Sequence, residues 1–310
     1  MKLATVSALA LCLGLSARAG ADRPAFGTLR GIHPGRRFPL VDPTTGRLDR
    51  AARVVSTGQD RFDRIPVATV RFTSGHEQLY AADRLHLVGQ PFGVQRSHMR
   101  KLRRDVARAL SAELGARADH VPVTTLRGRN TPPRPGAARP YLGPFLRAYL
   151  GDQPPGTLRE LYKLEGWHDR GRTYLHRSYA AFTRTLRLHE TLHALSRPFT
   201  AECRARGERS LGRGYTRLFE AITDYFAGHV AERRFGVVPD RSDGRYGSVS
   251  FGRRLADVVG HDRLRRIYLG QGAGLLDNLA RAVGSEAFRR AVAHLDRGDF
   301  DAARSAASGW

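Results

Sequence analysis

The chain has 310 residues and carries 52 Lys and Arg against 29 Asp and Glu, a formal net charge of +23. With 41% hydrophobic and 26% charged residues, its composition is globular and excludes a disordered or fibrous chain. Its positive charge comes almost entirely from arginines spread from Arg23 to Arg304, whereas nucleic-acid binders concentrate such charge on one element. The composition therefore favours a general arginine bias over a nucleic-acid or anionic-surface partner.

The first 21 residues have the pattern of a Sec-type signal peptide. Lys2 precedes a mostly apolar run over residues 3–15 that is too short to span a bilayer. Small residues allow cleavage near Ala19 or Ala21; a buried N-terminal helix is the alternative. Because no later apolar run reaches membrane-spanning length, we expect a secreted or periplasmic protein without a transmembrane segment in the mature chain.

The next part of the chain mixes weakly and strongly patterned segments. Residues 22–60 are rich in Pro, Gly and Arg, which predicts a loosely structured N-terminal extension. β-Favouring residues predict strands over residues 65–72 and 85–88. Apolar residues at every fourth position predict an amphipathic helix over residues 97–114. The basic side of this helix is explained most simply as a solvated surface, with a nucleic acid or a membrane as the alternative partner.

Helices dominate the rest of the chain. Residues 121–126 predict a strand, and prolines at residues 131–136 break regular structure. Residues 172–179 predict a strand just before a helix over residues 182–196, and a second helix is predicted over residues 215–234. Four short helices separated by glycines are expected after it, at residues 254–259, 263–268, 275–283 and 285–295.

The predicted helix over residues 182–196 carries an HExxH motif, from His189 to His193. Residues four apart lie on one face of a helix, so the two imidazoles can converge on one metal ion. Glu190, next to the first histidine, can then act as the general base for an attacking water. The alternative is a buried helix with two structural histidines.

A third metal ligand has to come from elsewhere in the chain. The HExxHxxGxxH pattern is absent, because Ser196 replaces its glycine and Phe199 its third histidine. Glu220 and Asp224 lie one turn apart on a largely apolar predicted helix, where carboxylates need partners. A cation for Glu220 and an imidazole N–H for Asp224 would satisfy both. The alternative is that both carboxylates are exposed helix charges.

The segments HETLHALS (residues 189–196) and EAITDYFA (residues 220–227) resemble the gluzincins, the thermolysin-type clan of zinc peptidases. The resemblance covers residues 172–298. This chain departs from the family's sequence pattern at Phe219 and Ala221, where asparagine and glycine are frequent. It implies one zinc ion, Zn2+, bound by His189, His193 and Glu220, with Glu190 as the general base. Asp224 would be the carboxylate that accepts a hydrogen bond from a ligating histidine.

The resemblance also implies two features that the residues themselves leave open. Gluzincins stabilise the oxyanion with a later Tyr or His; Tyr246 is the first candidate, with Tyr268 and His229 as alternatives. Tyr246 could equally be a packing or surface residue, whereas the sequence favours packing for Tyr268 and an ordinary helix position for His229. In related folds an edge strand beside the motif helix binds the substrate backbone. Here that strand would lie within residues 172–179, whose apolar positions could also be plain core.

Together these patterns predict an α+β, zincin-like fold. A small mixed β-sheet and the motif helix would form residues 61–196, and a mainly helical half, residues 197–310, would carry the third ligand. The expected activity is that of an exported zinc metallopeptidase, an endopeptidase rather than an exopeptidase, acting on a peptide or protein substrate. The alternative is an exported basic binding or effector protein with a structural or vestigial zinc site and a nucleic-acid or cell-envelope partner.

Overall fold

The computed structural model describes residues 25–42, 44–45, 47–60, 63–126, 166–169, 172–176, 181–210, 213–237 and 246–307. The expected signal peptide and the proline-rich break at residues 131–136 lie outside these ranges. None of the helices in the described ranges combines the length and the hydropathy needed to cross a membrane. Strands dominate the early described residues and helices the later ones, so the protein is α+β, as predicted.

Two antiparallel sheets form the first part of the molecule. Apolar side chains from both sheets and the preceding loop, including Ile32, Leu40 and Val54, are buried together in a core of their own. The two-stranded sheet consists of β1 (Leu40–Val41) and β2 (Leu48–Asp49), and the three-stranded sheet of β3 (Arg53–Gln59), β4 (Pro66–Arg71) and β5 (Glu77–Ala81).

This region differs from the loosely structured extension expected over residues 22–60. Strand β3 pairs along its length with β4, and Asp49 accepts hydrogen bonds from the backbone N–H and the hydroxyl of Thr73 at 2.7 and 2.9 Å. Asp49 and Thr73 are 24 residues apart, and β1 and β2 are only two residues long. Local periodicity therefore gives no signal for them.

Two helices follow these sheets. Helix α1 (Ala82–His86) lies where a strand was predicted over residues 85–88; that prediction is wrong, because Leu85 and Leu87 are buried from a short helix and the turn that ends it. Helix α2 (Phe92–Leu114) confirms the predicted amphipathic helix but begins earlier, directly after Pro91. It ends at Gly115, whose φ of 64° is the left-handed conformation that favours glycine.

A third, mixed sheet lies next to the motif helix in the sequence. It contains β6 (Val123–Leu126), β7 (Gly166–Asp169) and β8 (Arg172–His176) in the order β6-β8-β7. Strand β8 is parallel to β6 and antiparallel to β7, so it is the middle strand of the three. Of the two possibilities left open for this segment, a substrate-binding edge strand does not fit its described part, residues 172–176, because β8 is paired on both sides.

The remaining helices include one long helix against which several of the others pack. The motif helix is α3 (Arg184–Leu195), and α4 (Arg197–Ser210) follows it at once, with Pro198 in its first turn, where a missing N–H is tolerated. Helix α5 (Gly214–Phe235) matches its prediction to within one residue at each end. The others are α6 (Tyr246–Val259), α7 (His261–Tyr268), α8 (Leu275–Val283), α9 (Ser285–Arg297) and α10 (Phe300–Ala306).

The main hydrophobic core lies around α5. Residues of α3 and α5 such as Leu188, Leu192, Ile222 and Phe226 are buried in it, together with side chains from α2 and from the helices after α5. Helix α5 packs against α3, α4, α6 and α9. This packing holds the face of α3 that carries the two histidines against the face of α5 that carries Glu220.

The first turn of the motif helix is capped from a distant part of the chain. Asp63, in the turn between β3 and β4, accepts hydrogen bonds from the backbone N–H groups of Arg184 and Thr185 and from the Thr185 hydroxyl. Burial raises the pKa of Asp63 in spite of these hydrogen bonds. A carboxylate at a helix N-terminus satisfies donors that have no partner within the helix and interacts favourably with the helix dipole.

We expect Asp63→Ala to destabilise the fold by about 2 kcal/mol, because three donors at the start of α3 lose their acceptor. Urea unfolding followed by circular dichroism measures this change. The matched control is Asp299→Ala, which removes an exposed cap from the Ala302 N–H at the start of α10 and should cost about 1 kcal/mol or less. Equal losses in the two variants would contradict a special role for Asp63.

Candidate metal centre

The two histidines of the HExxH motif face each other on α3. Their rings lie nearly perpendicular, at 86°, with centroids 4.6 Å apart. The Nε2 atoms of His189 and His193 are 2.9 Å apart. The i, i+4 spacing on a helix produces this convergence, as the sequence predicted.

Glu220 on α5 completes a group of three ligand atoms. Its Oε2 atom lies 3.2 Å from Nε2 of His189 and 3.3 Å from Nε2 of His193. Ligand atoms around a tetrahedral zinc ion with bonds of about 2.0–2.1 Å are separated by about 3.3 Å. The two separations from Glu220 match this value and the one between the histidines is shorter, so the three atoms are close enough to bind one metal ion. Within the described part of the chain, this is the one group of three or more side chains found with metal-binding spacing.

The arrangement requires a positive charge. Two imidazole lone pairs and a carboxylate oxygen this close repel one another unless a proton or a metal ion lies between them. Burial lowers the pKa of His189, but the charge and hydrogen bond of Asp224, together with Glu220, outweigh it and leave this pKa well above its usual value. Burial raises the pKa of Glu220, but hydrogen bonds from both histidines outweigh it and leave this pKa well below its usual value.

Asp224 lies behind the first histidine. Its Oδ1 atom is 2.8 Å from Nδ1 of His189, on the side of the ring away from the ligand atoms. When Nδ1 carries the ring proton, its N–H donates a hydrogen bond to Asp224. The lone pair of Nε2 then points toward the group of ligand atoms. The sequence predicted an imidazole partner for Asp224, and in the structure this partner is His189.

The three candidate ligands differ in the exposed fraction of their side chains. The side chain of Glu220 is 41% exposed, whereas those of His189 and His193 are 13% and 9% exposed. Glu190, the next residue after His189 on α3, is 4% exposed. Phe219 packs its ring edge-to-face with that of His193, at 5.5 Å between centroids. Glu220 is therefore the most solvent-accessible of the three residues, and the ring of His193 packs against Phe219.

The three candidates for oxyanion stabilisation differ in position. Tyr246 is the first residue of α6, and its side chain lies outside the described residues. Tyr268 is fully buried; its ring stacks on Phe226, its hydroxyl lies 2.8 Å from Oγ1 of Thr223, and burial raises its pKa. It is a packing residue. His229 lies on α5 with its ring 4.6 Å from that of His261.

One contact of the site has no counterpart in the predictions. The hydroxyl of Ser248, on α6, donates a hydrogen bond of 2.5 Å to Oδ2 of Asp224. Nothing in the sequence marks Ser248, since its partner is 24 residues away on another helix.

Comparisons with known proteins give no match: no family model matches the sequence, and no curated protein or solved structure matches the chain. The function therefore has to be inferred from the geometry of the site.

Proposed function

We propose that this protein is an exported zinc metallopeptidase with a zincin-like fold, of the gluzincin type, that hydrolyses peptide bonds in peptide or protein substrates as an endopeptidase. One observation carries the proposal. Three ligand atoms from His189, His193 and Glu220 lie close enough together to bind one metal ion, with a carboxylate on Nδ1 of His189 and a buried Glu190 beside it in the chain.

The chemistry of the ligands favours zinc. Two neutral imidazoles and one carboxylate form a typical catalytic zinc set, which leaves a fourth position for water or substrate. Zinc bound there would lower the pKa of a water molecule and polarise the carbonyl group of the substrate. The partial exposure of the Glu220 side chain is compatible with a site that solvent reaches. A structural zinc site, in contrast, is normally closed by four protein ligands.

The protein's own residues would supply the proton transfers. Glu190 accepts a proton as the water attacks the carbonyl carbon, and returns it to the leaving amine. Asp224 holds the His189 ring in one tautomer and one orientation throughout. Tyr246, at the start of α6, is the proposed hydrogen-bond donor to the oxyanion.

An anionic partner is less well supported. Basic side chains on α2 contact groups of the same protein: Lys101 and Arg108 pair with Asp105 at 3.1 and 2.6 Å, and Arg103 donates to the carbonyl of Asp119 at 2.6 Å. These contacts favour a solvated helix surface over a nucleic-acid or membrane site. A vestigial site is disfavoured as well, because a structural zinc needs no general base next to its ligand.

Removing and restoring the metal tests the proposal. The purified protein should contain about one zinc ion per chain and cleave a mixed peptide library, and dialysis against a chelator should abolish cleavage. Stoichiometric Zn2+ should restore it. Elemental analysis and mass spectrometry of the products measure the two quantities. Zinc without cleavage would indicate a structural site, and cleavage that survives complete metal removal would contradict the proposed mechanism.

A further inference from the structure

Behind the metal ligands, three helices are joined by one chain of hydrogen bonds. Asp224 uses its two carboxylate oxygens for two different partners: Oδ1 lies 2.8 Å from Nδ1 of His189 on α3, and Oδ2 accepts from Ser248 on α6 at 2.5 Å. Ser248 is 6% exposed and Asp224 has a largely buried side chain. The contacts of Asp224 with His189 and Ser248 therefore lie in the interior of the protein.

A close approach of two helices allows the short serine side chain to reach Asp224. Gly252 lies one turn after Ser248 on α6. A Cβ atom at this position would lie 2.5 Å from the Ala221 carbonyl oxygen and 2.6 Å from Cβ of Tyr225, both on α5. Only glycine fits this spacing without a shift of the helices. The backbone of α6 is thus in direct contact with α5 where Ser248 meets Asp224.

The second hydrogen bond limits how the carboxylate can move. A carboxylate that is held through one oxygen alone can rotate about its Cβ–Cγ bond, and the imidazole bonded to it can then tilt. Anchoring the other oxygen fixes the carboxylate plane and, through it, the direction of the His189 Nε2 lone pair. Residues behind metal ligands act in this way on metal affinity.

We propose that Ser248 is a positioning residue of the metal centre: its hydroxyl fixes Asp224, and Asp224 fixes the His189 ring with Nε2 directed at the ion. The inference rests on the metal binding included in the proposed function, and it is independent of peptide hydrolysis. Ser248 touches neither the ion nor a substrate in this scheme.

Zinc affinity in a double-mutant cycle tests the inference. The dissociation constant for Zn2+ is measured by competition with a chromophoric chelator for the parent, Ser248→Ala, Asp224→Asn and the double variant. We expect Asp224→Asn to weaken binding by about 10–100-fold and Ser248→Ala by about 3–10-fold, since outer partners act through the inner ones. In the Asp224→Asn background, Ser248→Ala should have no further effect.

The matched control is Ser250→Ala, the same change on the same helix. Ser250 accepts a hydrogen bond from Arg304 at 2.9 Å, and its loss should leave zinc affinity unchanged. The absorption spectrum of the Co2+-loaded protein gives a second readout: it should change in Ser248→Ala and not in Ser250→Ala, because it reports ligand geometry. Thermal unfolding confirms that each variant is folded.

Three results would overturn the inference. These are parent-like zinc affinity in Ser248→Ala, equal losses from this substitution with and without Asp224, and no zinc binding by the parent protein. The last result would also remove the proposed function. Zinc binding and coupling as expected, but without any peptide cleavage, would support the role of Ser248 and contradict only the peptidase activity.

Discussion

Replacing Glu190 with glutamine should abolish peptide hydrolysis while the protein keeps about one zinc ion per chain. The amide has nearly the shape of the carboxylate but cannot accept the proton of the attacking water. General acid–base groups contribute about 10²–10⁴-fold to reaction rates. We therefore expect kcat/KM to fall by at least about 100-fold. Because Glu190 is buried and is not one of the three converging ligands, its exchange separates catalysis from metal binding.

Kinetics on a fluorogenic peptide and elemental analysis of the same preparation measure the two effects. Glu286→Gln is the matched control, since Glu286 lies exposed on α9 and pairs with Arg289 and Arg290 of the same helix. It should retain full activity. Hydrolysis at the parental rate in Glu190→Gln would remove Glu190 from its role, and loss of zinc in this variant would show that Glu190 supports the site rather than the reaction.

Replacing Glu220 with alanine should remove most of the metal binding. Two imidazoles alone form an incomplete site, so the loss of zinc affinity should exceed the roughly 10–100-fold typical of residues behind the ligands. A ligand that binds only the folded state stabilises it by about 2.7 kcal/mol at 100 times its dissociation constant. Zinc should therefore raise the melting temperature of the parent and leave that of Glu220→Ala nearly unchanged.

Differential scanning calorimetry with and without zinc measures this difference. The control is Glu232→Ala, three turns further along α5, where the carboxylate lies 3.9 Å from the Arg253 guanidinium and is half exposed. Zinc should still stabilise that variant. An equal zinc-induced rise in Glu220→Ala would mean that the ion binds elsewhere.

The parts of the site that lie on single helices could be predicted from the sequence. His189 and His193 are four residues apart, and so are Glu220 and Asp224, so helical geometry alone places each pair on one face. The strong apolar pattern around Glu220 also predicted α5 to within one residue at each end. The pairing of the two helices followed from chemistry, because carboxylates on a largely apolar helix need a cation or a hydrogen-bond donor.

Contacts between separate elements could not be predicted in this way. Asp63 caps α3 from more than 120 residues away, and Ser248 meets Asp224 because Gly252 lets two helices touch. Both depend on tertiary packing, which leaves no local periodicity. The position of β8 in the middle of its sheet has a similar origin, since its parallel partner β6 is distant from it in the sequence.

The distribution of the site over three helices has a consequence for the order of folding. His189 and Glu220 belong to helices that can each form locally, but their ligand atoms meet only after α3, α5 and α6 have docked. An unfolded chain does not hold His189, His193 and Glu220 together, so the complete site is a product of tertiary assembly. If the site binds zinc as proposed, tight binding would therefore come late in folding, after the helical core has formed.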